Sequence, residues 1–168
     1  MTLWRGPKSF RASLWFPVLV PSEPGHAAGN VVNAGNLMLE TVSNAVYREL
    51  IVPSFQAAGQ PFGGTAFHSC GDWSKRTTLV RQMAGVKVVD AAFSRETDPR
   101  PNPQAPFREV FAHSGIVLQA RIVGSAETVA DCVRQLWGPG MRLIVVTYCP
   151  TPEEQAETYR CIHDICQI

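Results

Sequence analysis

The chain lacks any apolar run approaching the roughly 20 consecutive residues that a membrane helix needs, which argues against a membrane partner. The longest early run, Leu14 to Val20, is short and broken by Pro17, and no small-residue cleavage site follows a longer core. A secretory leader is therefore not expected. Charge of one sign is also missing. Fifteen basic residues stand against fourteen acidic ones, a formal net charge of +1 with no Lys or Arg cluster. That argues against a nucleic-acid surface. No GxGxxG, Walker or GxSxG motif occurs, and the Gly-rich Phe62-Gly63-Gly64 precedes a strand instead of following one, the wrong place for a phosphate cradle. Cysteines are too few and odd in number for a disulfide scaffold: Cys70, Cys132, Cys149, Cys161 and Cys166. A reducing cytoplasm is the expected location.

What is present is an ordinary globular composition, 45% apolar and 17% charged. Residues 1–38 are rich in Pro and Gly, without a sustained period, and read as an irregular segment; His26 falls in it. Residues 39–168 read as the folded domain. A helix is expected over about 40–58 from Val42, Val46, Leu50 and Ile51, with Pro53 kinking or dividing it. Four βα units then follow over 64–167. The strands are Thr65–His68, Val86–Val89, Gly115–Ala120 and Arg142–Thr147. The helices are expected at 73–84, near 107–112, at 126–137 behind the Ser125 cap, and after Thr151-Pro152. Apolar strands joined by helical crossovers imply an α/β fold with parallel strands. An open doubly wound sheet and part of a (β/α)8 TIM-type barrel both fit. A whole barrel takes about 250 residues, so this chain can hold about half of one.

In either architecture functional residues collect at the C-terminal strand ends. Those ends carry His68, Cys70 and Asp72, then Asp90, then Arg121, then Cys149. His68 and Cys70 are two apart, so in an extended segment their side chains point to one side. With Cys149 from another strand end they form a candidate Zn²⁺ set, one imidazole and two thiolates, leaving the fourth tetrahedral position open for a substrate thiol. The competing reading is that the cysteines are simply buried, as cysteines commonly are. Asp90 is a candidate acid/base or a cap. Arg121 is a candidate carboxylate contact or a solvated charge, and Trp73 a rim residue that packs or meets a flat ligand. Cys132 reads as core. Cys161, His163 and Cys166 read as packing or surface, and His113, before a strand, as structural.

The series Phe67-His68-Ser69-Cys70-Gly71-Asp72-Trp73, after a helix carrying Tyr47-Arg48-Glu49-Leu50-Ile51-Val52-Pro53, resembles the uroporphyrinogen decarboxylase superfamily from about Leu39 onward. The resemblance implies the C-terminal half of a (β/α)8 barrel. Its zinc-dependent methyltransferase branch holds the metal with a His-x-Cys pair and a distant Cys, here His68, Cys70 and Cys149. The decarboxylase branch tends to carry Gly-His-Gly where this chain has Tyr148-Cys149-Pro150. The implied activity is methyl transfer from a corrinoid (cobalamin-type) partner protein to a thiol acceptor. The alternatives are decarboxylation of a tetrapyrrole substrate in porphyrin biosynthesis, or a non-catalytic fragment or assembly subunit. Asp72, Trp73 and Arg121 are the candidate substrate contacts. The family's essential N-terminal Asp and Arg residues find no match in 1–38. An oligomer or a complementary half-barrel is therefore expected, to cover the open edges.

Overall fold

The computed structural model describes the backbone of residues 32–35 and, in full, residues 43–167. Readings placed on 1–31, on 36–42 and on Ile168 lie outside the described residues, His26 and the start of the first helix among them.

Among the described residues, five strands form one parallel sheet in the order β1-β2-β3-β4-β5. They are β1 (Val32–Gly35), β2 (Thr65–His68), β3 (Val86–Ala92), β4 (Val117–Arg121) and β5 (Arg142–Val146). The last four fall where the apolar, β-branched runs place them. β1 lies inside the segment read as irregular. Val-Asn-Ala-Gly has no β-branched run to announce a strand; its parallel pairing with β2 makes it one.

Each strand neighbours the next in sequence, so every crossover steps in the same direction. Right-handed crossovers then put the helices on one face. The helices α3 (Thr77–Arg81), α4 (Gln104–Phe111), α5 (Ala126–Leu136) and α6 (Pro152–Cys166) do pack against one another in that order. A doubly wound sheet reverses its stepping direction, and no described crossover does. The singly wound arrangement is that of a (β/α) unit series. Among the described strands, β1 and β5 are the outer ones.

The side-chain alternation of the strands separates two faces. Phe67, Val89 and Leu118 share one register row, Ala91 and Ala120 another, and all five are fully buried under the helices. Trp73 joins them in an aromatic chain, with ring centroids 5.2 Å from Phe67 and 4.6 Å from Phe107. On the opposite parity Ala66, His68, Asp90, Gln119, Arg121, Ile144 and Val146 keep partial or full exposure, while Val88 and Ala92 are buried.

The helix carrying Tyr47 is divided as Pro53 requires. A short α1 (Asn44–Val46), capped by Ser43, runs into a π-helical turn at Tyr47–Ile51 and then α2 (Val52–Gly59), with Pro53 in its first turn. Proline cannot donate to the carbonyl one turn back. The widened turn takes up that gap, with Val52 N–H bonding to Tyr47 O instead. The helix expected at 73–84 is shorter than its sequence pattern, a 3₁₀ turn at Ser74–Arg76 followed by α3. The Ser125 and Thr151 caps form as expected, accepting from Thr128 N and Glu154 N.

Candidate functional site at the ends of β2, β3 and β4

His68 and Asp90 are direct lateral partners in the β2–β3 register, and Gln119 is the next residue in that row. His68 Nδ1 lies 2.7 Å from Asp90 Oδ2. The contact is close but not aligned along the N–H. The other oxygen of Asp90 accepts from Arg121 Nε at 3.0 Å. Arg121 sits two residues beyond Gln119 on β4 and reaches back to do so. Its Nη2 is buried with no hydrogen-bond partner among the described residues. On the far side of the imidazole, Cys70 Sγ lies 3.5 Å from His68 Nε2, donor and acceptor being set by the ring tautomer. Four residues thus line up in the order Cys70, His68, Asp90, Arg121. Cys70 is exposed, while His68, Asp90 and Arg121 are half-buried. A thiol, an imidazole and a carboxylate in this order are the parts of a nucleophile with its base and orienting group.

The loop that carries Cys70 is held from below. Gly71 adopts a left-handed φ of 75°, which turns the chain sharply after Cys70. Its N–H donates to Asp98 Oδ2 at 2.8 Å. Asn102 Oδ1 accepts from Trp73 N at 2.9 Å, and Asn102 Nδ2 donates to Gly71 O and to Ala92 O. Asp98 and Asn102 are both buried. One asparagine therefore pins the loop after β2 to the end of β3.

Asp98 and Asn102 were not singled out from the sequence, where they read as part of the Pro-rich loop after β3. The one available signal is that prolines at 99, 101 and 103 cannot donate from the backbone, leaving the polar side chains between them to bond.

Of the residues nominated from sequence, His68, Cys70, Asp90 and Arg121 come together. Trp73 lies in the core among Phe67 and Phe107, not on the rim. Asp72 is exposed, and its Oδ1 accepts from Ser74 N at 2.9 Å to start the 3₁₀ turn. Cys149 is elsewhere. It follows β5, three strand spacings from β2, a lateral offset of roughly 14 Å at the usual sheet spacing. Its thiol donates to Thr158 Oγ1 of α6 at 3.6 Å.

A zinc ion holding His68, Cys70 and Cys149 would need all three donors within about 2.3 Å of one point. Among the described residues no group of three or more His, Cys, Asp or Glu is gathered to hold a metal. The expected ligand set does not fit this arrangement, because strand-end position alone said nothing of how many strands separate the donors.

Two other thiols, those of Cys132 and Cys166, are perturbed by burial. Cys132 is buried as expected; burial pushes its thiol up, partly offset by the hydrogen bond from Gln104. Burial also raises Cys166. Raised thiols stay protonated and unreactive at neutral pH. No described helix is long and apolar enough to cross a membrane. No family model matches the chain, and no match is found among curated proteins or solved structures.

Proposed function

We propose that this chain is an enzyme-derived half of a (β/α)8 barrel of the uroporphyrinogen decarboxylase type, with Cys70 as the reactive group of its mouth. The reaction class is transfer of a small alkyl group, such as methyl, to sulfur. The observation that carries this reading is the contact of Cys70 Sγ with His68 Nε2, backed by Asp90 at Nδ1. The singly wound sheet and the strand-end placement support the barrel assignment.

In this reading His68 Nε2 takes the thiol proton, and Asp90 stabilises the imidazolium that results. Cys70 sulfur attacks the alkyl carbon of a donor. The S–C bond forms as the donor–carbon bond breaks, and the electron pair leaves with the donor. A methylated corrinoid on a partner protein is a donor of that class. No step is routed through zinc, since the three expected ligands do not meet.

The test is the rate at which Cys70 is alkylated by iodoacetamide, followed by mass spectrometry of its peptide. His68→Ala is expected to slow that rate about tenfold or more. An unchanged rate would overturn the reading and leave the non-catalytic fragment as the better account. Metal content of freshly purified protein separates the zinc form: one zinc per chain, lost in Cys149→Ser, would overturn the metal-free version. Decarboxylation of a porphyrinogen by the intact chain, unaffected by Cys70→Ser, would move the reading to the tetrapyrrole branch.

A further inference from the structure

We infer that the cleft beside the Cys70 loop binds an anionic group, carboxylate, sulfonate or phosphate, on the small molecule that Cys70 attacks. The inference rests on the reading of Cys70 as the reactive group and adds the substrate's charge to it.

The cleft has a volume of about 420 Å³ and is lined by Asp72, Lys75, Arg76, Arg100 and Pro101. Lys75 and Arg76 stand on one wall with Asp72, and Arg100 lines the other. One wall belongs to the segment after β2, the other to the segment after β3, so the cleft opens at the same end of the sheet as Cys70. Asp72 is two residues from Cys70, so the cleft and the thiol belong to the same loop after β2.

The cationic wall is built rather than incidental. Asp72 Oδ1 accepts from Ser74 N and so starts the 3₁₀ turn that carries Lys75 and Arg76. Arg76 Nη1 donates to Asn44 Oδ1, a neutral partner that steadies the guanidinium without cancelling its charge. The opposite wall shares its anchor with the Cys70 loop. Asp98 accepts from Arg100 N at 2.9 Å through one oxygen and from Gly71 N at 2.8 Å through the other. The position of Arg100 is therefore coupled to that of Cys70 through a single buried carboxylate, and Pro101 stiffens the wall. A fixed geometry between a cationic cleft and a thiol is what lets binding energy orient a reacting carbon. The near-zero net charge of the whole chain and the small size of the cleft favour a small anion over an extended polyanion.

The test compares two alkylating reagents of similar size, anionic iodoacetate and neutral iodoacetamide, at constant ionic strength. The readout is the iodoacetate-to-iodoacetamide rate ratio at Cys70. In the folded protein that ratio is expected to exceed its value in denaturant by about threefold or more, and Lys75→Glu should bring it back. Lys75→Gln, a milder change at an exposed position, should lower it partway. Succinate or sulfate at millimolar levels should slow iodoacetate while leaving iodoacetamide unaffected. A folded-state ratio equal to the denatured one, or one unmoved by both Lys75 variants, overturns the inference. His68→Ala should lower both rates together and leave the ratio alone. If it changes neither rate, the reading of Cys70 fails while the cleft's charge preference still stands or falls on the ratio.

Discussion

The two ends of the sheet treat their cysteines differently. At the β2–β3 side, Cys70 stands on a loop tied by three side-chain hydrogen bonds to buried Asp98 and Asn102, with His68 and Asp90 beside it. At the β5 side, Cys149 follows an outer strand with half-exposed or exposed positions throughout and leans on one threonine of α6. Both cysteines obey the rule that functional residues collect at C-terminal strand ends. Only one has neighbours with which to do chemistry. Strand-end position nominates a residue; lateral register decides whom it meets.

The largest expected effect that tests this contrast is on stability. Asn102→Ala strips partners from Trp73 N, Gly71 O and one donor to Ala92 O, leaving buried backbone groups unsatisfied. A loss of about 3 kcal/mol is expected in urea unfolding, against under about 1 kcal/mol for Thr158→Val at the β5 side. Equal losses would erase the distinction.

Tyr47 gives the next largest. Its hydroxyl is buried with no hydrogen-bond partner among the described residues, and burial pushes its pKa up to about 12 from 10.0. Between those values the unfolded chain has released a proton that the folded chain keeps. The stability contribution is therefore intact below pH 10 and is lost as pH rises towards 12, at up to about 1.4 kcal/mol per pH unit. Tyr47→Phe should remove that component of the alkaline loss. Below pH 10 it should raise stability by about 1 kcal/mol, since an unsatisfied buried hydroxyl disappears. Denaturation at stepped pH for both proteins checks the sign.

Smaller still is the effect of Asp90→Asn on Cys70. Loss of the charge beside His68 should slow alkylation about fivefold, less than loss of the imidazole itself. The smallest is Cys149→Ser, expected to leave Cys70 alkylation within about twofold, because no contact links the two sites. A large change there would bring the sites back together and revive the three-ligand reading.

Much of the fold was legible because its signals are local. Arg142–Val146 and Val86–Val89 announce themselves by β-branched residues, and Ser125 and Thr151 by their place before helical runs. Even the π-turn had a forerunner in Pro53. His68, Cys70, Asp90 and Arg121 were legible because their positions depend only on where strands end. β1 was not, since its four residues become a strand only by pairing with a partner some 30 residues on. The separation of Cys149 was not, since strand order is a long-range property. Asp98 and Asn102 were hidden for the same reason: each bonds to residues about 30 positions earlier in the chain, which no local pattern records.

Asn102 also constrains how such a chain can change over generations. It bonds at once to Ala92 O, the end of β3, and to the loop after β2. The nine residues between Ala92 and Asn102 therefore cannot lengthen or shorten freely, as surface connections usually do. An insertion there would be transmitted to Gly71 and felt at Cys70, so this connection is expected to vary less in length than its irregular, proline-containing course suggests.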